Sequence, residues 1–405
     1  MSHEIAYLVL IFGLMVVPRV MQRFRIPAPL TSFGLGMVAA VFLGSFSQDV
    51  TLSLLATLGI SSLFLFAGLE IDLEDFGRGK WHLLGHIVGR AATLITLVLL
   101  AMHFFGFSWQ VASLLALAVV TPSTGFILET LPSLDVNDDE RFWVRIKAVS
   151  GELFALLVLF VVLQSDSYVM LAWSAAALVA MLVGLPLLFI GLGKAVIPYA
   201  RGSEFSLLMM VGIVSAFLTY KLGVYYLVGA FLAGFIAKLL KKRMPLLASD
   251  NNLHAIQMFA SFFVPFYFFY KGMSVPNGAL TLEALGLGLT LTVVALPSRV
   301  GFMWLQRRFI KGESAMGSLR VAAALTPTLI FTLVLATILR ERFHVSDVMY
   351  GALLVYAGMT TMLPSILMSK AADFDLLRAD DRGADLPDPA DTVEPPKASP
   401  PPAML

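Results

Sequence analysis

Apolar residues run along this chain in stretches long enough to cross a bilayer, separated by short charged or Pro/Gly-rich breaks. A helix needs about 20 mostly apolar residues to span the hydrocarbon. That length predicts thirteen spans, at 4–22, 29–47, 51–70, 81–105, 109–132, 142–164, 168–193, 203–220, 222–240, 254–275, 279–305, 317–339 and 346–369. The first is too long for a removable leader and lacks a small-residue cleavage site, so it reads as a membrane helix. From residue 373 to 405 the character changes to Asp, Pro and Ala. Such a segment cannot bury enough apolar area to fold, which predicts a disordered cytoplasmic tail after a transmembrane domain at 1–372.

Composition sharpens the picture. Of 405 residues, 58% are hydrophobic and 14% charged, against about 25% charged in an ordinary soluble domain. The net charge of +1 gives no electrostatic reason to expect a nucleic-acid partner. With no cysteine, disulfides, thiolate nucleophiles and Cys-based metal sites are excluded together. Cytoplasmic connections of a membrane protein carry the Lys/Arg excess. With thirteen spans and the N-terminus outside, the inner connections hold most of the basic residues, among them Arg19, Arg23, Arg25, Arg78, Lys80, Arg145, Lys147, Lys241, Lys242 and Arg243. The outer ones hold Lys221, Arg340 and Arg342. The C-terminus then lies in the cytoplasm.

Two pairs of segments match at nearly one offset. LFLFAGLEID, with Gly68, resembles FYFFYKGMSV, with Gly272; VVTPSTGFI at 119–127 resembles ALTPTLIFT at 324–332. Together they indicate that spans 1–6, about residues 1–166, recur as spans 8–13, about 202–370, with the helix at 168–193 as linker. A shift by seven spans, an odd number, inverts the second copy, the arrangement found in secondary transporters. Thr121-Pro122 and Thr326-Pro327 fall in mid-span. Proline lacks a donor and clashes with the preceding turn, and in lipid the freed carbonyls survive only where protein or a watery cavity satisfies them. The fold expected is therefore all-α and polytopic, with about thirteen transmembrane helices and an inverted repeat carrying two broken, crossing helices. A simple proline kink is the competing reading of each break.

These stretches, with LGISSLFLFAGLEIDL at 58–73, KAVSGELFALLVLF at 147–160, YLVGAFLAGFIA at 226–237 and PFYFFYKGMSV at 265–275, resemble the second monovalent cation:proton antiporter family, which includes Kef-type potassium/proton and bacterial sodium/proton antiporters. The resemblance runs over residues 1–370. It implies a sodium/proton antiporter-like fold and a homodimer in which a mobile core slides against a static unit. It also implies Na+ or K+ and H+ as the transported species.

A charged group at mid-span costs about 2.5–3.5 kcal/mol on insertion scales, and Glu152 sits near the middle of span 6. Desolvation disfavours the charged form of a carboxylate, so a proton and a cation can compete for such a group. The resemblance puts Glu152 where the family usually has an Asp that takes proton and cation in turn. Gly151 stands where electrogenic members carry a second Asp, which implies electroneutral exchange. Arg299 matches a position where members commonly have a Lys or Arg facing the broken helices. It is expected either to neutralise half-helix ends or to hold Glu152, with snorkelling as the alternative. Thr121, Pro122, Ser123 and Thr124 at the first break, and Thr326, Pro327 and Thr328 at the second, offer hydroxyls and loosened carbonyls suited to a hard cation. Lys271 reads as a cavity group or as an outer-interface lysine. Glu70, beside Asp72, Glu74 and Asp75, reads as an interfacial face or gate, and Arg90 as a partner for a core carbonyl or carboxylate. GAFLAG at 229–234 reads as small-residue helix packing.

No cofactor is expected, and no metal beyond a monovalent cation. Membrane lipid surrounds the domain, and any regulatory subunit acts in trans because the tail is too short for a regulatory domain. A channel-like potassium efflux system or a sodium-coupled organic-anion symporter of the same fold is the alternative. An intramembrane enzyme is disfavoured by the absence of HExxH and GxSxG signatures and of an aspartate dyad. A bacterial inner membrane is the expected location.

Overall fold

A computed structural model describes residues 3–42, 49–71, 80–200, 202–222, 226–245, 247, 249–310, 312 and 314–368. The tail at 373–405 and the acidic residues Asp72, Glu74 and Asp75 lie outside the described residues. The regular elements described are helices: α1 (His3–Gln22), α2 (Ala28–Phe42), α3 (Val50–Leu69), α4 (Lys80–Phe105), α5 (Trp109–Val120), α6 (Thr124–Thr130), α7 (Asp138–Gln164) and α8 (Tyr168–Val196). After α8 come α9 (Glu204–Lys221), α10 (Tyr226–Leu239), α11 (Asp250–Met273), α12 (Leu282–Ile310), α13 (Ala315–Ala324), α14 (Leu329–Phe343) and α15 (Asp347–Met368).

Each of the thirteen expected spans coincides with one of these helices or with a broken pair. Ten stretches are long and apolar enough to cross a membrane, and the bent pair α13–α14, turning by 45°, makes an eleventh. The other two, α2 and α10, have 15 and 14 residues, short of the full hydrocarbon thickness at 1.5 Å per residue. The starts are written locally. The side chains of Asp49, Ser108, Ser167, Ser249 and Ser314 each accept from a backbone N–H of the first turn. Asn137 and Glu140 form a reciprocal capping box at the start of α7. That box starts α7 four residues before the expected span, and Lys147, counted with the inner basic residues, is instead buried in the helix, 4% exposed.

Burial sorts the helices. An 18-residue apolar segment within 109–133 is 94% buried, whereas the corresponding segments of α1, α8 and α12 are 11% buried and turn apolar faces outward. Glycine permits the closest packing. A Cβ at Gly68 of α3 would overlap the Phe231 carbonyl of α10, and one at Gly234 of α10 would overlap the Leu65 carbonyl of α3. In the second such contact, Gly272 of α11 stands against the Phe33 carbonyl of α2, and Gly36 of α2 against the Phe269 carbonyl of α11. The same reciprocal glycine contact thus occurs twice between the two halves, and Gly234 belongs to the GAFLAG stretch.

Candidate functional site: two broken helices around Glu152

Proline alone does not explain where the breaks fall. Pro18, Pro186, Pro265, Pro297 and Pro364 all sit inside continuous helices. At Pro122 and Pro327 the freed backbone groups instead find partners across the gap between the two breaks. The Ser123 N–H donates to the Pro327 carbonyl at 2.8 Å. The Ser123 hydroxyl oxygen accepts from the Ile330 and Phe331 N–H groups at 3.0 and 3.2 Å, capping α14 from the opposite chain segment. Thr332 donates its hydroxyl to the Ala118 carbonyl at 2.7 Å.

The last turns of α5 and α13 carry the negative ends of two half-helices, and each has a guanidinium on it. Arg90 of α4 donates to the Val120 carbonyl at 2.9 Å. Arg299 of α12 donates to the carbonyls of Leu325 and Thr326, both at 3.2 Å, and to the Tyr356 hydroxyl at 2.8 Å. Tyr356 passes its own proton to the Val119 carbonyl at 2.7 Å, tying both breaks to α15. Thr326 bonds the Ala323 and Thr360 carbonyls, and Thr328 pairs with the Thr360 hydroxyl.

Glu152 of α7 is 2% exposed. It faces the hydroxyl and N–H of Thr124 at the start of α6, and it lies within electrostatic reach of Arg90. Its Oε2 and the hydroxyls of Thr121 and Thr124 are buried without a well-formed hydrogen bond, a costly state for polar atoms. Gly151 is part of the same geometry, because a Cβ there would overlap the Arg90 guanidinium. The space that a side chain at 151 would take is filled by Arg90.

The structure therefore divides the residues named from the sequence. Glu152 and Thr124 face each other, and the Thr121 hydroxyl is buried in the same break without a well-formed hydrogen bond, while Ser123, Thr326 and Thr328 are engaged in holding the crossing together. Pro122 is buried in the first break, and Pro327 contributes its carbonyl to the crossing. Arg299 sits on half-helix carbonyls, and Arg90 is the guanidinium nearer Glu152. Lys271 is apart from this group, half-buried near the end of α11 and within electrostatic reach of Glu341. Glu70 is also apart, at the C-cap of α3, where burial pushes its carboxyl up from the ordinary range against the opposing pull of Arg145 and Lys238. Tyr356, Thr332 and Thr360 escaped the sequence reading because single hydroxyls in long apolar helices carry no pattern. Arg90, Arg299 and Thr326 also line a cavity of about 340 Å³ with mostly apolar walls, which neither Glu152 nor Thr124 lines. Among the described residues no three His, Asp or Glu side chains gather as a metal site.

A helical membrane domain with two half-helix pairs crossing at a buried carboxylate is the frame of an ion-coupled carrier. The chain belongs to the sodium/hydrogen exchanger family, whose transmembrane profile matches residues 8–369. It is an integral membrane transporter of the antiporter type and not an enzyme. Among curated proteins it is similar to the probable Na(+)/H(+) antiporter 3 of Methanocaldococcus jannaschii, 23% identical over 386 residues that cover 91% of this chain and 96% of that one. It is also similar to the Na(+)/H(+) antiporter NhaS5 of Synechocystis, 26% identical over 329 residues, 75% of this chain and 46% of that longer protein. Among solved structures the sodium proton antiporter MjNhaP1 of M. jannaschii at pH 8 shares the fold, with a TM-score of 0.60, 15% identity and coverage of 90% and 95% of the two chains. Its electron-microscopy structure gives 0.64, 14%, 91% and 96%.

Proposed function

We propose that this protein exchanges a monovalent cation, Na+ or K+, for H+ across a bacterial inner membrane, with proton and cation competing for Glu152. The observation that carries the reading is the Glu152 carboxylate, buried beside the first break with Oε2 unpartnered. In its protonated form the group is neutral and can remain buried. After losing the proton it needs a cation to stay in the same place, and the Thr121 and Thr124 hydroxyls supply further oxygen ligands. Arg90 and Arg299 have a different task. They hold the carbonyl ends of α5 and α13 and so keep the crossing rigid while Glu152 changes occupant.

An empty, ionised Glu152 is penalised in the low-dielectric interior, which suppresses return of the unloaded site and couples the two fluxes. The core then moves as a unit, elevator-fashion, against a static unit in a homodimer, with the N-terminus outside and the C-terminus in the cytoplasm. Family membership and the two curated antiporters support sodium as a substrate; the oxygen-lined site is equally compatible with potassium. One carboxylate beside Gly151 supports a one-for-one, electroneutral exchange.

The test is purified protein in liposomes carrying a lumenal pH dye, challenged with sodium, potassium or choline. Sodium or potassium, but not choline, is expected to move protons, and Glu152→Gln is expected to abolish the response. No proton movement with any cation, or full activity in Glu152→Gln, overturns the reading.

A further inference from the structure

The exchange scheme leaves one carboxylate without a task. Glu129 is the sixth residue of α6, the half-helix whose first residue, Thr124, faces Glu152. Five residues at 1.5 Å each separate the two positions by about 7.5 Å along the helix axis. Glu129 is half-buried and makes no ion pair or hydrogen bond through its side chain among the described residues. It lines a cavity of about 200 Å³ bounded by α1, the start of α2, α6 and α11. Gln22 and Ser261 add polar atoms to that cavity, and Arg19, exposed at its rim, is the one cationic group lining it.

A carboxylate in this place is unfavourable for the resting fold. It lies in the last turns of α6, where the helix dipole is already negative, and half out of water. Arg19, the one basic side chain lining the cavity, is exposed at its rim and makes no ion pair with Glu129 among the described residues. The cavity has room for several water molecules at about 30 Å³ each. A mobile hydrated cation satisfies the carboxylate, the helix end and the polar walls together.

We propose, on the basis of the exchange reading above, that Glu129 is the capture carboxylate of a vestibule. It draws a hydrated monovalent cation into the cavity at the far end of the half-helix whose near end meets Glu152. The vestibule opens on the side of the α1–α2 connection, where Arg19 sits in the last turn of α1 and Arg23 and Arg25 follow it, and its negative potential offsets theirs. Glu129 then sets the apparent affinity for the cation, whereas Glu152 sets whether exchange happens at all.

The experiment titrates Na+ and K+ against the full-length protein in liposomes at low ionic strength, with wild type, Glu129→Gln, Glu129→Asp, Arg19→Gln and Glu152→Gln in parallel. Removing the vestibule charge is expected to raise the apparent KM about tenfold, within the range of electrostatic focusing, with the maximal rate within about twofold of wild type. Glu129→Asp is expected to restore most of the affinity, and Arg19→Gln to lower KM by removing the opposing charge. An active wild type and inactive Glu152→Gln, together with an unchanged KM in Glu129→Gln, overturn the vestibule and leave the exchange reading standing. Should Glu129→Gln fail to fold, Arg19→Gln decides alone, and an unchanged KM there overturns the proposal. A wild type without exchange overturns both readings.

Discussion

At the scale of single residues, Ser123 shows how a group expected to hold a cation can instead hold the frame. Its hydroxyl oxygen caps two N–H groups of a helix more than 200 positions away in sequence, while its own N–H meets Pro327. Ser123→Ala leaves two buried donors without their acceptor, at about 1–3 kcal/mol for an unsatisfied buried group. The expected outcome is a lower melting temperature in detergent and slower exchange at unchanged cation affinity. An unchanged melting temperature would show that the crossing does not depend on this cap. Thr124, whose hydroxyl faces Glu152, is expected to behave oppositely: Thr124→Val raises the apparent KM for the cation while the melting temperature stays near wild type.

At the scale of elements, the reciprocal glycines decide how closely α3 meets α10 and α11 meets α2. An added methyl at Gly68 has to push against the Phe231 backbone carbonyl, which cannot rotate away as a side-chain tip can. Gly68→Ala is therefore expected to destabilise by about 1–3 kcal/mol, the range for overpacking. Gly286, exposed on α12 with nothing within 4 Å of a would-be Cβ, is the control. There the same substitution is expected to stabilise by up to about 1 kcal/mol through helix propensity. Thermal melts of the two variants side by side check the pair, and equal shifts would remove close helix approach as the reason for these glycines. The breaks belong to this scale too, since five prolines are absorbed in continuous helices and two are not.

At the scale of the whole molecule, the charges of the core set the electrical character of the proposed exchange. Arg90 fills the space beside Gly151, so the site carries one carboxylate, Glu152, where two would share a larger positive load. Exchange is expected to run at the same rate with or without a potassium–valinomycin potential across the liposome. A rate that rises with the imposed potential would mean that net charge moves in each cycle. The two halves of the chain are also tied by ion pairs away from the site, Arg342–Asp166 at 2.8 Å among them. Arg320 of α13 binds Glu140 of α7 through both carboxylate oxygens, the shortest contact at 2.6 Å.

The sequence by itself determined the helices, their order and the location of the unusual groups. Apolar length, capping residues and Thr-Pro pairs are local properties, and a carboxylate at mid-span is conspicuous in any hydrophobic stretch. Family membership followed from the same stretches. Only the tertiary structure decided what each polar group in the core does. Thr121, Ser123, Thr124, Thr326 and Thr328 look alike along the chain, yet Ser123, Thr124, Thr326 and Thr328 find partners on later helices while the Thr121 hydroxyl is buried without one. Arg90 and Arg299 were both legible as buried cations, but which one lay closer to Glu152 depended on the packing of α4 and α12. Glu129 passed unnoticed because its setting is a cavity built by four separate helices. Hydrogen bonds act over about 3 Å, and such distances between remote residues exist only once the helices are packed.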